Sequence, residues 1–247
     1  MKIIVDGNNL ACMAFFVTKN ILSTKKRVIK TVGLFNIMMQ KLKVDFAVSN
    51  LYIAWDGISG ADWRKEILPE YKSNRLKQDP VLTKIIKEAQ NLSYYHFILD
   101  YAEGDDMVYA LCNALHGKKV IVSSDKDFIQ VVQEGLAHSI FIPNTKKYRD
   151  IPNIDSVLEK SICGDSSDNL KGIPGYGPVA TKKLIANNFI GLTDAELFIL
   201  RKHERIIGLQ NNPKAGTIYA YAFNKIKMYK SVKSLIKKNR NNYKEHL

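Results

Sequence analysis

Apolar residues along the chain follow two rhythms. Short runs at residues 2–5, 51–55, 95–99, 120–123 and 138–142 have the length and composition of buried strands. Between several of them lie helix-length segments patterned at three and four. Val28, Val32, Phe35, Met39 and Leu42 mark one such helix within residues 22–44, and Met107, Ala110, Leu111 and Ala114 mark another within 103–115. Alternating strands and helices predict an α/β fold with a mostly parallel central sheet flanked by helices. After Pro152 the strand runs stop, which predicts an α/β core over about residues 1–150 and a helical region over 151–247. In that region Ile218, Ala222, Ile226, Tyr229, Val232 and Ile236 form one stripe. The last 34 residues also carry nine Lys/Arg against one acid, so an amphipathic helix with a basic outer face is expected. The stretch between Trp55 and Tyr94 is polar and follows neither period, which predicts a long functional loop. Phe15, Phe16, Phe35, Met38 and Met39 are expected in the core, and Cys12 and Cys112 as small buried hydrophobes.

Composition narrows the class. With 247 residues and 46% apolar content the chain can bury a sizeable core, which excludes a disordered protein. Three widely spaced cysteines without a CxxC exclude a disulfide scaffold and a cysteine-rich zinc site. No run approaches the ~20 apolar residues of a membrane span, and Asp6 interrupts the N-terminal apolar run, so a soluble, cytoplasmic chain is expected. Thirty-seven basic residues against 24 acids give a net charge of +13, which points to a polyanionic partner.

Against that basic background, the positions of the acids stand out. Asp6 follows the first strand run, Asp56 the second, Asp100 and Glu103 the third and Asp125 the fourth. In open α/β sheets the ligand crevice lies beyond the carboxyl ends of the strands, so these acids converge on one place. Glu103-Gly-Asp105-Asp106, Asp125-Lys-Asp127 and Asp165-Ser-Ser-Asp168 thicken the cluster. One Asp after a strand is an ordinary helix cap or turn residue; five coincident clusters are not. The nine carboxylates of Asp6, Asp56, Glu103, Asp105, Asp106, Asp125, Asp127, Asp165 and Asp168 cannot share a crevice as bare anions. Oxygen donors without a histidine or cysteine cluster select hard ions, Mg²⁺ or Mn²⁺, and two of them would clamp the attacking and leaving oxygens of a phosphodiester.

The ordered motifs resemble those of the structure-specific 5′-nuclease family: flap endonucleases, their stand-alone bacteriophage members, and the 5′-nuclease domain of bacterial DNA polymerases. The resemblance rests on Val5-Asp6-Gly7-Asn8-Asn9-Leu10, Trp55-Asp56-Gly57, Arg64, and Pro69-Glu-Tyr71-Lys72-Ser-Asn-Arg75. It continues through Ala102-Glu103-Gly104-Asp105-Asp106, Ser123-Ser124-Asp125-Lys126-Asp127, and Gly164-Asp165-Ser-Ser-Asp168-Asn169 leading into Gly172-Ile-Pro-Gly175-Tyr-Gly177. It implies a PIN-like core, a helical arch at about residues 62–94, and a helix-three-turn-helix motif at about residues 160–190. By the same likeness Asp6, Asp56, Glu103, Asp105 and Asp106 surround one metal, and Asp125, Asp127, Asp165 and Asp168 the other. Gly104 stands where many relatives carry alanine, and the short interval from Asp56 to Glu103 implies a small arch.

Basic elements complete the reading. Gly172, Gly175 and Gly177 precede Pro178 at a helix start, whose exposed amides suit a phosphate; Thr181, Lys182 and Lys183 would touch the next phosphates. The resemblance adds a K⁺ held by carbonyls of that loop. It also places Arg64, Tyr71, Lys72 and Arg75 on DNA, with Tyr71 stacking on a terminal base and Lys72, backed by Arg75, stabilising the transition state. The implied activity is Mg²⁺-dependent flap cleavage and 5′→3′ exonuclease action by a stand-alone monomer on branched or ended DNA, extending to RNA–DNA hybrids. A PIN-type ribonuclease and a non-catalytic DNA-binding relative are the alternatives. Setting the nine acids aside leaves 15 acids against 37 basic residues, so a surround of +22 encloses a crevice of −9.

Overall fold

Alternate residues of each central strand bury against opposite faces, which requires helices on both sides of the sheet. Ile3 and Val5, Leu51 and Ile53, and Val120 and Val122 pack on one face, while Ile4, Tyr52 and Ile121 pack on the other. In the computed structural model, which describes residues 1–245 with side chains to residue 234, the chain runs β1 (Lys2–Asp6), α1 (Gly7–Val17), α2 (Thr24–Asp45), β2 (Leu51–Ala54), α3 (Asp62–Ile67), α4 (Pro80–Gln90), β3 (Tyr95–Phe97) and α5 (Gly104–Ala114). It continues through β4 (Lys119–Val122), α6 (Ile129–Gln133), β5 (Ser139–Ile142), β6 (Lys147–Tyr148), α7 (Ser156–Cys163), β7 (Gly164–Asp165), β8 (Leu170–Lys171), α8 (Pro178–Ala186), α9 (Asp194–Ile207), a 3₁₀ turn (Leu209–Asn211) and α10 (Ala215–Glu245).

The main sheet has the order β3-β2-β1-β4-β5-β6, parallel except for β6. Val5 lies opposite Ile53 on one side and Val122 on the other. The chain builds outward from β1 through β2 to β3, then crosses back through α5 to β4. The order therefore reverses between β1 and β4, and this switch point is where an open α/β sheet forms a crevice. One core layer joins Leu10, Phe35, Met39 and Trp55 beneath α1, α2 and α4. The other joins Phe97, Met107, Leu111, Ile218, Ala222 and Ile226 beneath α5 and α10. The five expected strands and the two long patterned helices all form.

Several expectations change. Residues 55–94 are not aperiodic throughout: Asp79 caps α4, Pro80 opens it, and its buried Ile85 and Ala89 pack it onto α1 and α2. The loop beside the crevice is thereby shortened to α3 and the turns after it. The region after Pro152 contains a two-stranded ribbon, β7 with β8, as well as helices. Phe16 is 61% exposed rather than in the core, and Cys12 is half-buried while Cys112 is buried. Chain beyond residue 150 goes to two places: α7, α8 and α9 close around Ile162, Ile173, Leu184 and Leu200, whereas α10 returns to α5. Val232 is 48% exposed, and the Ile236 side chain lies outside the described residues.

Phe35, fully buried and packed 5.7 Å from the Trp55 ring, spans α2 and the sheet. Urea denaturation of Phe35→Ala is expected to show a loss of about 3–5 kcal/mol, against within about 0.5 kcal/mol for the exposed Phe16→Ala.

Candidate metal centre

The carboxyl ends of β1 and β4 bring Asp6 and Asp125 to the switch point, and the N-terminus of α5 delivers Glu103, Asp105 and Asp106 to it. Each acid has a local reason for its position. Asp6 caps α1: Oδ1 accepts from Asn9 N at 3.0 Å, and Oδ2 accepts from Ser123 Oγ at 2.8 Å. Asp56 accepts from Gly104 N at 2.6 Å and from Asn8 Nδ2 at 2.7 Å. Gly104 is consequential here, since a Cβ on it would lie 3.0 Å from Asp56 Oδ1. Glu103 and Asp106 form a capping box on α5, where the helix dipole favours negative charge.

Two of the nine acids, Glu103 and Asp106, share the buried Arg64. Asp106 is 2% exposed; it accepts from Arg64 Nη2 at 2.8 Å, Arg64 Nη1 at 3.2 Å, Asn212 Nδ2 at 2.9 Å and Glu103 N at 3.1 Å. Glu103 accepts from Arg64 Nη1 at 2.5 Å and from Lys72 Nζ at 2.6 Å. Burial raises the Glu103 pKa, but Arg64 and Lys72 outweigh it and hold the carboxyl below its usual range. Of the five acids expected around one metal, Glu103 and Asp106 are paired with Arg64, whereas Asp105 faces Asp125 and Asp127.

Oxygens of Asp105, Asp125 and Asp127 lie within 4.8 Å of one another. Burial, then repulsion from Asp125 and Asp6, lifts the Asp105 pKa well above the carboxylate range; burial, with Asn9 and Ser123 opposing, still brings Asp6 to about 7. Asp127 is also raised, by burial and then by Asp125, despite its contact with Lys160. Half-buried carboxylates that repel one another, with oxygen as the donor throughout, are the donor set a hard divalent cation requires. These residues fit such an ion. Asp125 itself accepts from Asp127 N at 2.9 Å.

Asp165 and Asp168 stand across the crevice on the β7–β8 ribbon. Asp165 accepts from Lys160 Nζ at 2.8 Å, Ser167 N at 2.8 Å and Ser167 Oγ at 2.6 Å; these outweigh burial and draw its pKa down to about 2. Asp168 accepts from Arg75 Nη2 at 2.7 Å. Lys160, in the last turn of α7, bridges Asp127 and Asp165. In the sequence it is only a lysine near a helix C-terminus, with no signal beyond standing five residues before Asp165. Asn8, Asn9 and Ser123 belong to quoted motifs yet carried no role; their side chains orient Asp56, Ser124 and Asp6.

Three expected DNA contacts are corrected. Arg64 is 2% exposed and donates to Glu103, Asp106 and the Ile206 carbonyl, so it is a buried clamp. Tyr71, 3% exposed, packs on Leu170 and Ile206 and donates to Glu103 at 3.3 Å, which leaves no ring face for a base. Thr181 is fully buried against Cys163, with 3.1 Å between its hydroxyl and Sγ. Lys182 and Lys183 are exposed on α8. Gly172 is required because a Cβ would meet the Cys163 carbonyl at 2.2 Å; Gly175 has φ +86°, and Gly177 caps α8 ahead of Pro178.

A family model described as the 5′-3′ exonuclease, N-terminal resolvase-like domain, matches residues 1–161. The chain belongs to this family. It is 28% identical over 210 residues to a 5′-3′ exonuclease of Mycoplasmopsis pulmonis, covering 77% of this chain and 67% of that one. It is 27% identical over 150 residues to the flap endonuclease Xni of Shewanella loihica, covering 56% of this chain and 58% of the relative. Against Bacillus subtilis DNA polymerase I the identity is 28%, over 74% of this chain and only 23% of the polymerase. Among solved structures, the bacteriophage T5 D15 flap endonuclease in a pseudo-enzyme-product complex with DNA and metal ions aligns with TM-score 0.71 at 20% identity, over 91% of this chain and 97% of that one. A zinc-bound T5 5′-exonuclease aligns with TM-score 0.62 at 20% identity, over 91% and 92%. The PIN-type fold of the family is thus present nearly end to end. Among the described residues no helix is long and apolar enough to cross a membrane.

The raised carboxyls have a consequence for stability. Folded Asp6, raised to about 7, holds a proton that the unfolded chain gives up above about pH 4, so folding binds protons between about pH 4 and 7 and stability falls as pH rises through that window; the raised Asp105 carboxyl acts in the same direction. In metal-free buffer the Tm is expected to fall by several degrees between about pH 5 and about pH 7.5, and Mg²⁺ should reverse the fall. Asp105→Asn should raise the metal-free Tm at about pH 7.5 and blunt the response to Mg²⁺. Calorimetric melting checks both.

Proposed function

We propose that the chain is a metal-dependent 5′-nuclease that hydrolyses phosphodiester bonds of DNA near single-strand/duplex junctions, as a 5′-flap endonuclease with 5′→3′ exonuclease activity. The observation that carries this reading is the Asp105–Asp125–Asp127 cluster at the switch point of the sheet, with Lys72 beside it on Glu103. Mg²⁺ is the working ion, Mn²⁺ its substitute, and the RNA strand of an RNA–DNA hybrid a second substrate. The enzyme acts as a monomer in the cytoplasm.

Two bound Mg²⁺ ions would supply charge neutralisation at the attacking and leaving oxygens and acidify the attacking water. Asp105, Asp125 and Asp127 would hold one; Asp165 and Asp168, across Lys160, would hold the other. Asp6 and Asp56 orient around them through Ser123 and Asn8. Lys72 keeps its ammonium on Glu103, and its side chain is 14% exposed, so the charge sits in a dry wall where it acts strongly on a scissile phosphate. Arg75, with its side chain 53% exposed, contributes a second cation from the same loop. The amides at the start of α8, with Lys182 and Lys183, grip duplex phosphates away from the cut, and carbonyls of the Gly172–Gly177 loop hold a K⁺.

Cleavage of a 5′-labelled flap DNA by the wild type with Mg²⁺, and none with a chelator, is the expected outcome. Asp125→Ala should lose about 10³-fold or more, and Lys72→Ala about 10²-fold in single turnover. Wild-type rates in Asp125→Ala would refute the metal assignment, and cleavage of single-stranded RNA in preference to the flap would refute the substrate.

A further inference from the structure

The loop that carries Lys72 and the turn that carries Asp165 and Asp168 are strapped together by hydrogen bonds outside the carboxylate cluster. Asn169 Nδ2 donates to the Glu70 carbonyl at 2.9 Å and to Ser73 Oγ at 2.9 Å. The Asp168 carbonyl accepts from Lys72 N at 2.9 Å. Asn74 Nδ2 donates to the Ser166 carbonyl at 2.7 Å, and Arg75 Nε to the Ser167 carbonyl at 3.2 Å. Four successive residues of one segment thus hold residues 70–75 of the other, about a hundred positions away in the chain.

Two residues in this strap have left-handed backbones, Lys72 with φ +55° and Asn169 with φ +57°. Asparagine tolerates that region better than most side chains, whereas lysine adopts it only when neighbouring contacts over-determine it. For Lys72 those contacts are its own N–H on Asp168 and the Asn169 amide, which fixes the chain on both sides of it at positions 70 and 73. The left-handed turn at Asn169 in turn aims its amide at the loop while leaving Asp165 and Asp168 facing the crevice.

We propose that Asn169 is a positioning residue for the nuclease reaction, tying the Lys72 loop to the Asp165–Asp168 turn so that the ammonium and the metal-holding carboxylates keep one relative geometry. The inference rests on the nuclease reading above. It makes the two elements thermodynamically coupled: a cation bound on the turn steadies Lys72, and cutting the strap weakens cation binding by the same coupling. Misplacement by about 1 Å can slow a positioned reaction about 10²-fold.

The test is a double-mutant cycle on Asn169→Gly and Lys72→Ala, read as single-turnover cleavage of flap DNA at saturating protein and Mg²⁺. Glycine keeps the left-handed turn without strain and removes only the amide. The loss from Asn169→Gly is expected to be about tenfold in the wild-type background and less than about twofold in the Lys72→Ala background, because its effect passes through Lys72. DNA affinity should stay within about twofold, while Ca²⁺ binding measured by calorimetry should weaken about threefold. Asn74→Ala, on the exposed side of the strap, should give the same non-additivity with a two- to threefold loss, about the worth of one weak tether, and it decides the matter if Asn169→Gly does not fold. A wild-type rate in Asn169→Gly, or losses that multiply in the double variant, would overturn the proposal. No cleavage by the wild type would overturn the nuclease reading instead, and unchanged Ca²⁺ affinity in Asn169→Gly would then still overturn the strap.

Discussion

Mutual repulsion of carboxylates gathered at the strand ends is the constraint around which the rest of this protein is organised. Four basic side chains answer part of it from within: Arg64 on Glu103 and Asp106, Lys72 on Glu103, Arg75 on Asp168, and Lys160 between Asp127 and Asp165. Nine carboxylates against four internal cations leave five negative charges if all are ionised, and two divalent ions would bring the crevice close to −1. Asp6, Asp56, Asp105 and Asp125 have no basic partner within ion-pair distance among the described residues, and among the carboxyls the strongest upward shifts fall on Asp105 and Asp6. The cations the chain supplies and the cations it needs are therefore divided by position: buried and permanent around Glu103 and Asp106, external where Asp105 meets Asp125 and Asp127.

The sheet order makes this concentration of charge possible without loss of the core. Because the strand order reverses between β1 and β4, the carboxyl ends at the switch point are not covered by a crossover helix, and acids can end the strands there while Ile3 to Val5 and Val120 to Val122 remain buried. The N-terminus of α5 enters the same opening and lends its dipole to Glu103, Asp105 and Asp106. Arg64 does more than balance charge. Through the Ile206 carbonyl it joins α3 to the end of α9, and through Asp106 and Asn212 it reaches the start of α10. A buried clamp of this kind is costly to break, about 3–5 kcal/mol when one partner is removed, which is why its loss would disturb the site and the helical region together.

Much of this was legible in the sequence because strand ends and acids announce each other. A run such as Ile3-Ile4-Val5 followed by Asp6 gives both an element and a ligand candidate, and the repetition of that signature located the crevice. What stayed hidden was burial of polar groups. Arg64, Tyr71 and Thr181 sit in motifs that read as contacts to a ligand, and a sequence does not say that a guanidinium or phenol has turned inward to meet Glu103. Lys160 was invisible because its partners come from another segment and from the turn after its own helix. The α4 helix was readable in principle, from Asp79-Pro80 and the spacing of Ile85 and Ala89, but was masked by the polar stretch preceding it.

The central claim is that external cations replace protons on the raised carboxyls, and proton release on metal binding measures it directly. Calorimetric titration of Ca²⁺ into the metal-free protein, repeated in buffers of different ionisation enthalpy, counts those protons. The account predicts net release near pH 6, smaller by about pH 8.5 as Asp6 ionises, and clearly reduced in Asp105→Asn. Saturable Ca²⁺ binding with no proton release at any of these pH values would contradict it.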